Sequence, residues 1–282
     1  MVSREYVHEM KSFDELTFTD NFLFTRVLEM NPKLCVRLTE LVTGRKVKAL
    51  SSDGVSTEHA IKITPDSKGV RLDVVFEDSD ALYNIEMQTT KEPGLPKRFR
   101  YYQDMTDLSL LQSGAQYEDL KQSYIVFLCT FDAFGQGQVR YEFRNLCVED
   151  PTLELNDETY KLAICAYGKL TEDNPELNAL LEYLQGQKSD DPFVMDLDSE
   201  VSKAKQSAKT RGEYMRYEIE LQRAKDYGRA EGREEGLAEG RLEGSAPFVK
   251  LLVEQGMSVE DIAAAGNLTE EEVSAILEAT EN

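Results

Sequence analysis

Three residues of types that can do chemistry stand close together in one short segment: Asp73, Glu86 and Gln88. They belong to RLDVVFEDSDALYNIEMQ, residues 71–88, where two β-rich runs flank a short polar turn, a pattern that predicts a hairpin. Side chains two positions apart on a strand share a face, so Glu86 and Gln88 point the same way. With the turn centred on its Ser-Asp pair, Asp73 lies opposite Glu86, and opposed Cβ atoms are about 4.5–5.5 Å apart. The hairpin therefore predicts two carboxylates and one amide on a single patch.

Two carboxylates at that separation suit a hard divalent cation. Mg²⁺ prefers oxygen ligands and keeps several waters while one or two carboxylates hold it. The main-chain carbonyl of Met87 is a candidate further ligand, and the metal would activate water for phosphodiester cleavage. Gln88 cannot serve as a base, but its amide can orient the attacking water. The alternative is that the acids are solvated outer-face groups. Their apolar neighbours oppose it, because a buried charge must be paired or metal-bound.

The elements that must position this patch read as an α/β fold. Two helices are expected between Asp20 and Gly44, since a capping residue opens the first and a glycine ends the second. Short strands are expected at VKALSSD and HAIKIT, and a helix from Lys97 to Leu111 follows the hairpin. SYIVFLCTF predicts a buried central strand, VRYEFRNLCVED a half-buried strand and YKLAICAYG another strand. With a helix at ELNALLEYLQ, the order α-α-β-β-β-α-β-β-β-α predicts a mixed sheet.

The polar character after Gly186 predicts three parts. Residues 12–186 are the expected catalytic domain, 187–245 a polar helical arm and 246–282 a small three-helix module, in which Ser258 and Thr269 cap helices. The arm has a glycine at every fourth residue from 228 to 244. Close contact with a second helix and a flexible arm both explain these glycines. The last helix begins TEEE, so a protein-interaction module or an oligomer cap is favoured over a DNA reader.

A net charge of -21 argues at first against nucleic acid as a partner, because phosphate contacts need local positive charge. KEPGLPKRFRYYQ supplies such a patch. Its cations and aromatic rings suit phosphate contact and base stacking. In the alternative interpretation of this segment, its aromatic rings pack in the core and its charged side chains lie on a solvent-exposed face. The candidate DNA-binding residues are Lys97, Arg98, Arg100, Tyr101 and Gln103.

Other classes of site find little support in the sequence. The four cysteines form no CxxC pair, and the two histidines are too few for a zinc site or a histidine-based triad. We expect a cytoplasmic protein with no membrane partner, because the sequence begins without an apolar signal region and no apolar run approaches the ~20 residues that span a bilayer.

The segments TFTDNFLFTRVLE, VRLDVVFED, YNIEMQ, RYYQ, YIVFLCTFDAFGQG and YEFRNLCVED, with the AEGREEG-type tail, resemble a known family. It is the recombination-promoting nuclease and transposase family of the PD-(D/E)XK superfamily. The resemblance implies a Mg²⁺-dependent DNA endonuclease, in which Mn²⁺ can substitute. It also implies a restriction-endonuclease-like αβββαβ core, followed here by the α-helical C-terminal extension.

By the same resemblance, Asp73 and Glu86 match the metal-binding acids, Gln88 stands in place of the motif lysine and Leu72 in place of the motif proline. Asp20 is the candidate acid on the first helix, with helix capping as its alternative role. The implied context is recombination, mobile elements or defence. We also expect a homo-oligomer that forms through the helical C-terminal region. One alternative function is a catalytically degenerate nuclease fold that acts as a protein-interaction or DNA-binding module through that region. Another is a DNA-binding regulator that uses residues 246–282.

Overall fold

The computed structural model describes residues 11–48, 50, 54–61, 70–111, 114–170 and 173–281. Its strands are β1 Ser56–Ile61, β2 Val70–Glu77, β3 Ala81–Gln88, β4 Gln122–Cys129, β5 Arg140–Phe143 and β6 Thr159–Cys165. Its α-helices are α1 Asn21–Met30, α2 Pro32–Thr43, α3 Leu95–Leu110, α4 Pro175–Leu184, α5 Pro192–Gln206, α6 Ala208–Glu254, α7 Val259–Gly266 and α8 Glu270–Glu281. Single 3-10 turns lie at Phe13–Glu15 and Tyr117–Asp119.

The described strands form one mixed sheet in the order β1-β2-β3-β4-β6-β5. β1, β2 and β3 are antiparallel neighbours, β3, β4 and β6 run parallel, and β5 pairs antiparallel with β6. β3 has a neighbour on each side, and all eight of its residues are buried. The predicted element order and the restriction-endonuclease-like α/β fold are confirmed.

The β2–β3 hairpin has the register predicted from its turn. Val74 pairs with Ile85, and the ladder continues to Glu77 and Leu82 beside the turn. The same register extended by one pair sets Asp73 opposite Glu86.

Asp78 holds the turn of this hairpin together. Its side chain is buried, and Oδ1 accepts hydrogen bonds from the N–H groups of Asp80 and Ala81, both at 2.8 Å. Oδ2 accepts from the Lys48 N–H at 2.9 Å and the Tyr83 hydroxyl at 3.2 Å. Burial raises the pKa of the Asp78 carboxyl, but these hydrogen bonds outweigh burial and hold it below its ordinary value. The carboxylate therefore joins the hairpin to the segment that follows α2.

α3 lies against β4 and brings its first turns over the end of β3. Gly94, with φ of 92°, turns the chain into the helix in a left-handed conformation that favours glycine. Leu95 and Phe99 then pack on Ile125 and Phe127 of β4. Because register partners on neighbouring strands share a face, Phe127 and Glu86 lie on the same side of the sheet. α3 thus covers the side of β3 that carries Glu86.

Helix α5, which the sequence assigned to the polar arm, packs against α1, α2 and α4. Phe193, Val194, Leu197 and Val201 give it a fully buried stripe. The compact unit therefore extends to Tyr214 and does not end near residue 186. The polar composition of residues 187–214 predicted an arm, and that prediction overlooked the apolar stripe of α5.

The second unit, Met215–Asn282, has a small core of its own. Val249, Ile262, Ala263, Val273 and Ile276 are buried together. The predicted caps are present in both short helices: the Ser258 hydroxyl accepts from Asp261 N–H at 3.2 Å, and the Thr269 hydroxyl accepts from Glu272 N–H at 3.1 Å. Arg241 pairs with Glu272 across this unit.

Two predicted strands differ from the structure. The strand expected over VRYEFRNLCVED stops at Phe143, and the chain then folds back so that Leu146 bridges Glu154. In VKALSSD, residues 47, 48 and 50 are not in a strand, because the Lys48 N–H is taken by Asp78, and residues 49 and 51–53 lie outside the described part of the chain. HAIKIT forms β1 as far as Ile61, and its last three residues also lie outside the described part of the chain.

In the ranges that the structure describes, no helix is both long enough and apolar enough to span a membrane.

We predict that Asp78→Ala lowers the free energy of unfolding by about 3 kcal/mol, because it leaves buried N–H donors without an acceptor. Urea denaturation followed by circular dichroism measures the change. Asp80→Ala, on the exposed side of the same turn, is the matched control and should cost less than about 1 kcal/mol. Equal losses in the two variants would contradict the assigned role of Asp78.

Candidate active site

Asp73 and Glu86 face each other across the hairpin, and each carboxylate accepts a main-chain hydrogen bond from the opposite strand. The Asp73 N–H donates to Glu86 Oε1 at 3.0 Å, and the Met87 N–H donates to Asp73 Oδ2 at 3.1 Å. Asp73 is 8% exposed and Glu86 is 3% exposed. The regular ladder ends at the Val74–Ile85 pair, so side-chain oxygens replace the ladder carbonyls there. The predicted pairing of the two acids is thus realised as a direct contact.

Both acids resist ionisation. Burial raises the pKa of Asp73 above its ordinary value, although hydrogen bonds from Asn21 and the Met87 N–H oppose the shift. Burial, reinforced by the negative charge of Asp73, raises the pKa of Glu86 well above its ordinary value. A bound cation would reverse both effects, because it favours the charged carboxylates. A positive ion bound between the two carboxylates would therefore stabilise the pair.

The helix residue that reaches this pair is Asn21, and this corrects the expectation for Asp20. Asn21 Nδ2 donates to Asp73 Oδ1 at 2.6 Å, and Asn21 Oδ1 is buried without a hydrogen-bond partner in the described structure. The Asp20 carboxylate instead accepts from Lys11 Nζ at 2.8 Å and the Thr17 N–H at 2.7 Å. Asp20 therefore stabilises the turn before α1. Its position one residue before Asn21 was the only signal in the sequence for the role of Asn21.

Gln88 has both ends of its amide engaged. Nε2 donates to the Thr90 carbonyl at 2.6 Å, and Oε1 accepts from Arg98 Nη1 at 2.6 Å. Arg98 Nη2 donates to the Tyr102 hydroxyl at 3.0 Å. The guanidinium carbon lies 5.3 Å from the Tyr102 ring centre and 5.1 Å from that of Phe127. Sequence reasoning missed Tyr102, although its spacing of four from Arg98 on a helix could have indicated the pair.

The residues expected to bind DNA differ in their exposure to solvent. Arg98 lies at the site, while Lys97 and Arg100 are exposed on α3. Tyr101 is half-buried against the cluster that contains Val70, Leu72 and Met105.

Gln103 is a correction to the expected DNA-binding set. It is 4% exposed, and its Nε2 donates to Ser123 Oγ at 2.5 Å and to Asp107 Oδ1 at 3.0 Å. It stands one helical turn after Phe99, on the face of α3 that packs on the sheet. Gln103 is therefore part of the contact between α3 and β4.

The donor set fits a magnesium-type ion. Oxygen donors at hand are the carboxylates of Asp73 and Glu86 and the buried Oδ1 of Asn21, with the Met87 carbonyl between two site residues. Within the described ranges, no group of three or more His, Cys, Asp or Glu side chains could share a metal ion. Two carboxylates are sufficient for Mg²⁺, which retains part of its water shell, whereas a site with few protein ligands suits Zn²⁺ less well.

A mixed sheet with two buried acids on facing strands of a hairpin defines a restriction-endonuclease-like domain. Residues 23–159 match the family described as PD-(D/E)XK nuclease family transposase. This match covers the hairpin that carries Asp73 and Glu86, agrees with the family that the sequence resemblance indicated, and supports a nuclease-type function. No curated protein and no solved structure matches the chain.

We predict that Glu86→Gln stabilises the metal-free protein at pH 8. The folded-state pKa of Glu86 lies above its unfolded value, so its stabilising contribution is present below the unfolded pKa and is lost as the pH rises through the folded pKa. Gln removes that loss, and each kcal/mol gained raises Tm by about 2–4 °C for a chain of this size. Thermal unfolding at pH 5 and pH 8 measures the difference.

Mn²⁺ should raise the Tm of the wild type more at pH 8 than at pH 6, because the acids must lose protons to bind it. The metal-dependent rise should vanish in Glu86→Gln. Glu77→Gln, at the opposite end of β2, is the control and should keep it. An unchanged Mn²⁺ effect in Glu86→Gln would remove Glu86 from the metal site.

The neighbours Asp20 and Asn21 separate stabilisation of the turn before α1 from metal binding. Asn21→Ala should weaken Mn²⁺ binding several-fold at neutral pH, because it removes a hydrogen bond that lowers the pKa of Asp73. Asp20→Asn should cost about 1 kcal/mol of stability, because it weakens the hydrogen bonds to Lys11 and Thr17, and leave Mn²⁺ binding nearly unchanged. Isothermal titration calorimetry and urea denaturation measure the two effects. The reverse pattern would restore Asp20 as the ligand.

Proposed function

We propose that this protein is a metal-dependent DNA endonuclease that hydrolyses phosphodiester bonds, with Asp73, Glu86 and Gln88 as its catalytic residues. The observation that carries the proposal is the buried pair of facing carboxylates on the central hairpin of a nuclease-family domain. A buried pair of like charges costs stability in the absence of a cation. Its presence therefore needs a use, and a divalent ion meets that need.

In the proposed site, Asp73, Glu86 and the main-chain carbonyl of Met87 hold Mg²⁺, and Mn²⁺ can substitute. When bound, the ion lowers the pKa of a water molecule and stabilises charge on the phosphate. Asn21 donates to Asp73 Oδ1 and so favours the charged form of Asp73 against the effect of burial. Gln88 retains one free N–H and one lone pair beside its two present hydrogen bonds, and these can orient the attacking water.

DNA is the proposed substrate, and exposed Lys97 and Arg100 on α3, with half-buried Tyr101, are the proposed contacts beyond the cleavage site. The chain as a whole is acidic, with a net charge of -21, so DNA must approach through a local basic surface. Binding through few phosphate contacts should fall with salt less steeply than for a strongly basic nuclease. Cytoplasmic action on mobile or invading DNA is the proposed setting.

Self-association through α6 is also proposed. Tyr227 and Leu237 are exposed on this helix. Apart from the backbone of α6 itself and the neighbouring residues in the chain, no atom of the described residues lies within 4 Å of a Cβ added at Gly228, Gly232, Gly236, Gly240 or Gly244. A second helix could therefore approach this stripe closely, which would offset the cost of glycine in a helix. Light scattering on the full chain tests this, and a monomer at all concentrations would reject it.

The central test is cleavage of supercoiled plasmid. The wild type should nick the plasmid with Mg²⁺ or Mn²⁺ and not in excess chelator. Asp73→Asn and Glu86→Gln should each lower the rate by about 100-fold or more, since each removes a charge that holds the ion. Asp104→Asn, on the exposed side of α3, is the control and should cut like the wild type.

Equal cleavage by the two active-site variants would point to a contaminating nuclease and reject the proposal. Binding of Mn²⁺ without cleavage of any DNA form would instead support the alternative function, a degenerate nuclease fold that acts as a binding module. That outcome would indicate that Gln88, which stands where the motif has lysine, is the reason for the missing activity.

A further inference from the structure

We propose that Arg98 is a catalytic residue that supplies from α3 the positive charge that the motif lysine would supply from β3. The proposal rests on the function proposed above and adds a residue to that site. In the sequence, Arg98 was one of several candidate phosphate contacts. Its position in the structure separates it from the others.

Arg98 is held at the side chain that replaces the motif lysine. Its Nη1 donates to Gln88 Oε1 at 2.6 Å, and Gln88 lies two residues from Glu86 on the same face of β3. The guanidinium therefore occupies space that a lysine amine at position 88 would extend into. Gln88 makes this contact possible, because its neutral carbonyl oxygen accepts a hydrogen bond from Arg98. A lysine at position 88 would instead repel the guanidinium.

The setting of Arg98 makes it an ordered and accessible cation. The rings of Tyr102 and Phe127 lie within about 5 Å of the guanidinium, a distance typical of cation–π contacts. The side chain is 30% exposed, so a phosphate could reach it from solvent. Its only carboxylate partner in the described structure is exposed Glu92, at 3.8 Å. Several N–H donors of the fork thus remain open to a ligand.

The charge of Arg98 acts on both acids of the site. It opposes the rise in pKa of Asp73 and of Glu86, which places it within electrostatic reach of the two carboxylates. Two carboxylates and one cation are the charges that the PD-(D/E)XK motif brings together. This chain assembles the same set with the cation moved from the strand to the helix.

Arg98 takes no part in the proton transfer of the step assigned to it. The oxygen of a water molecule bonds to phosphorus, and the phosphorus–oxygen ester bond breaks with its electron pair on the departing oxygen. One proton of that water passes through solvent to the departing oxygen. Negative charge grows on the non-bridging oxygens, and Arg98 donates N–H hydrogen bonds to them. A guanidinium stays protonated throughout, so Arg98 stabilises charge and cannot act as the base.

Arg98→Gln should lower the plasmid cleavage rate by about 100-fold, while Mn²⁺ affinity measured by calorimetry stays equal or becomes tighter because a nearby positive charge is lost. Arg98→Lys should show an intermediate rate, because the charge remains and the forked geometry does not. The double variant Arg98→Gln with Gln88→Lys should recover at least about tenfold of the lost rate. A structural role alone would not produce that recovery.

Arg144→Gln is the matched control, because Arg144 also stacks on an aromatic ring, that of Tyr160 at 5.0 Å, and lies at the β5 end of the sheet. It should cut like the wild type. If Arg98→Gln cuts at the wild-type rate while Asp73→Asn is inactive, the assignment of Arg98 is overturned and the proposed function stands. Loss of folding or Mn²⁺ binding in Arg98→Gln without recovery in the double variant also overturns it. An inactive wild type ends both proposals.

Discussion

The rest of the domain depends on how two negative charges are buried opposite each other on one hairpin. Asp73 and Glu86 repel when both are ionised, and burial adds to the cost. The hairpin offsets part of this cost, because each carboxylate accepts a hydrogen bond from a main-chain N–H of the opposite strand. The bonds that hold the charges therefore also hold the strands in register. A slip of one residue between the two strands would put the acids on opposite faces of the sheet.

Two neutral amides and the cation Arg98 border this pair. Asn21 donates to Asp73 from its amide, Gln88 presents an amide beside Glu86, and Arg98 adds a positive charge. The charge of Arg71 also lowers the pKa of Asp73. A third acid would deepen the repulsion in a chain that already carries a net charge of -21. A divalent ion added to two carboxylates and one guanidinium leaves a net positive centre. In the proposed site, that balance would attract a phosphate even though the net charge of the whole protein is negative.

The sequence predicted the hairpin and its pair of acids because both follow from local rules. Strand alternation and a polar turn set which residues face each other, and no distant contact is needed to infer it. The α1 residue that reaches the site is the one whose side chain faces β2. Asp20 and Asn21 are adjacent polar residues at the start of the helix, and the sequence does not show which of them faces that strand. Gln103 was misassigned for the same reason, since the packing of α3 on β4 decides which of its polar residues are covered. The extent of the compact unit depends on α5 docking against three helices, which its polar composition concealed.

The central place of β3 also bears on how the protein would lose activity on heating. Its neighbours run antiparallel on one side and parallel on the other, and every residue of the strand is buried. Segments of this kind open only when the whole fold opens, so their amide hydrogens exchange most slowly with solvent. Glu86 and Gln88 are in that segment, and Asp73 is on the strand next to it. Fraying of loops or helix ends would leave the acids in place, and inactivation by heat would coincide with collapse of the sheet.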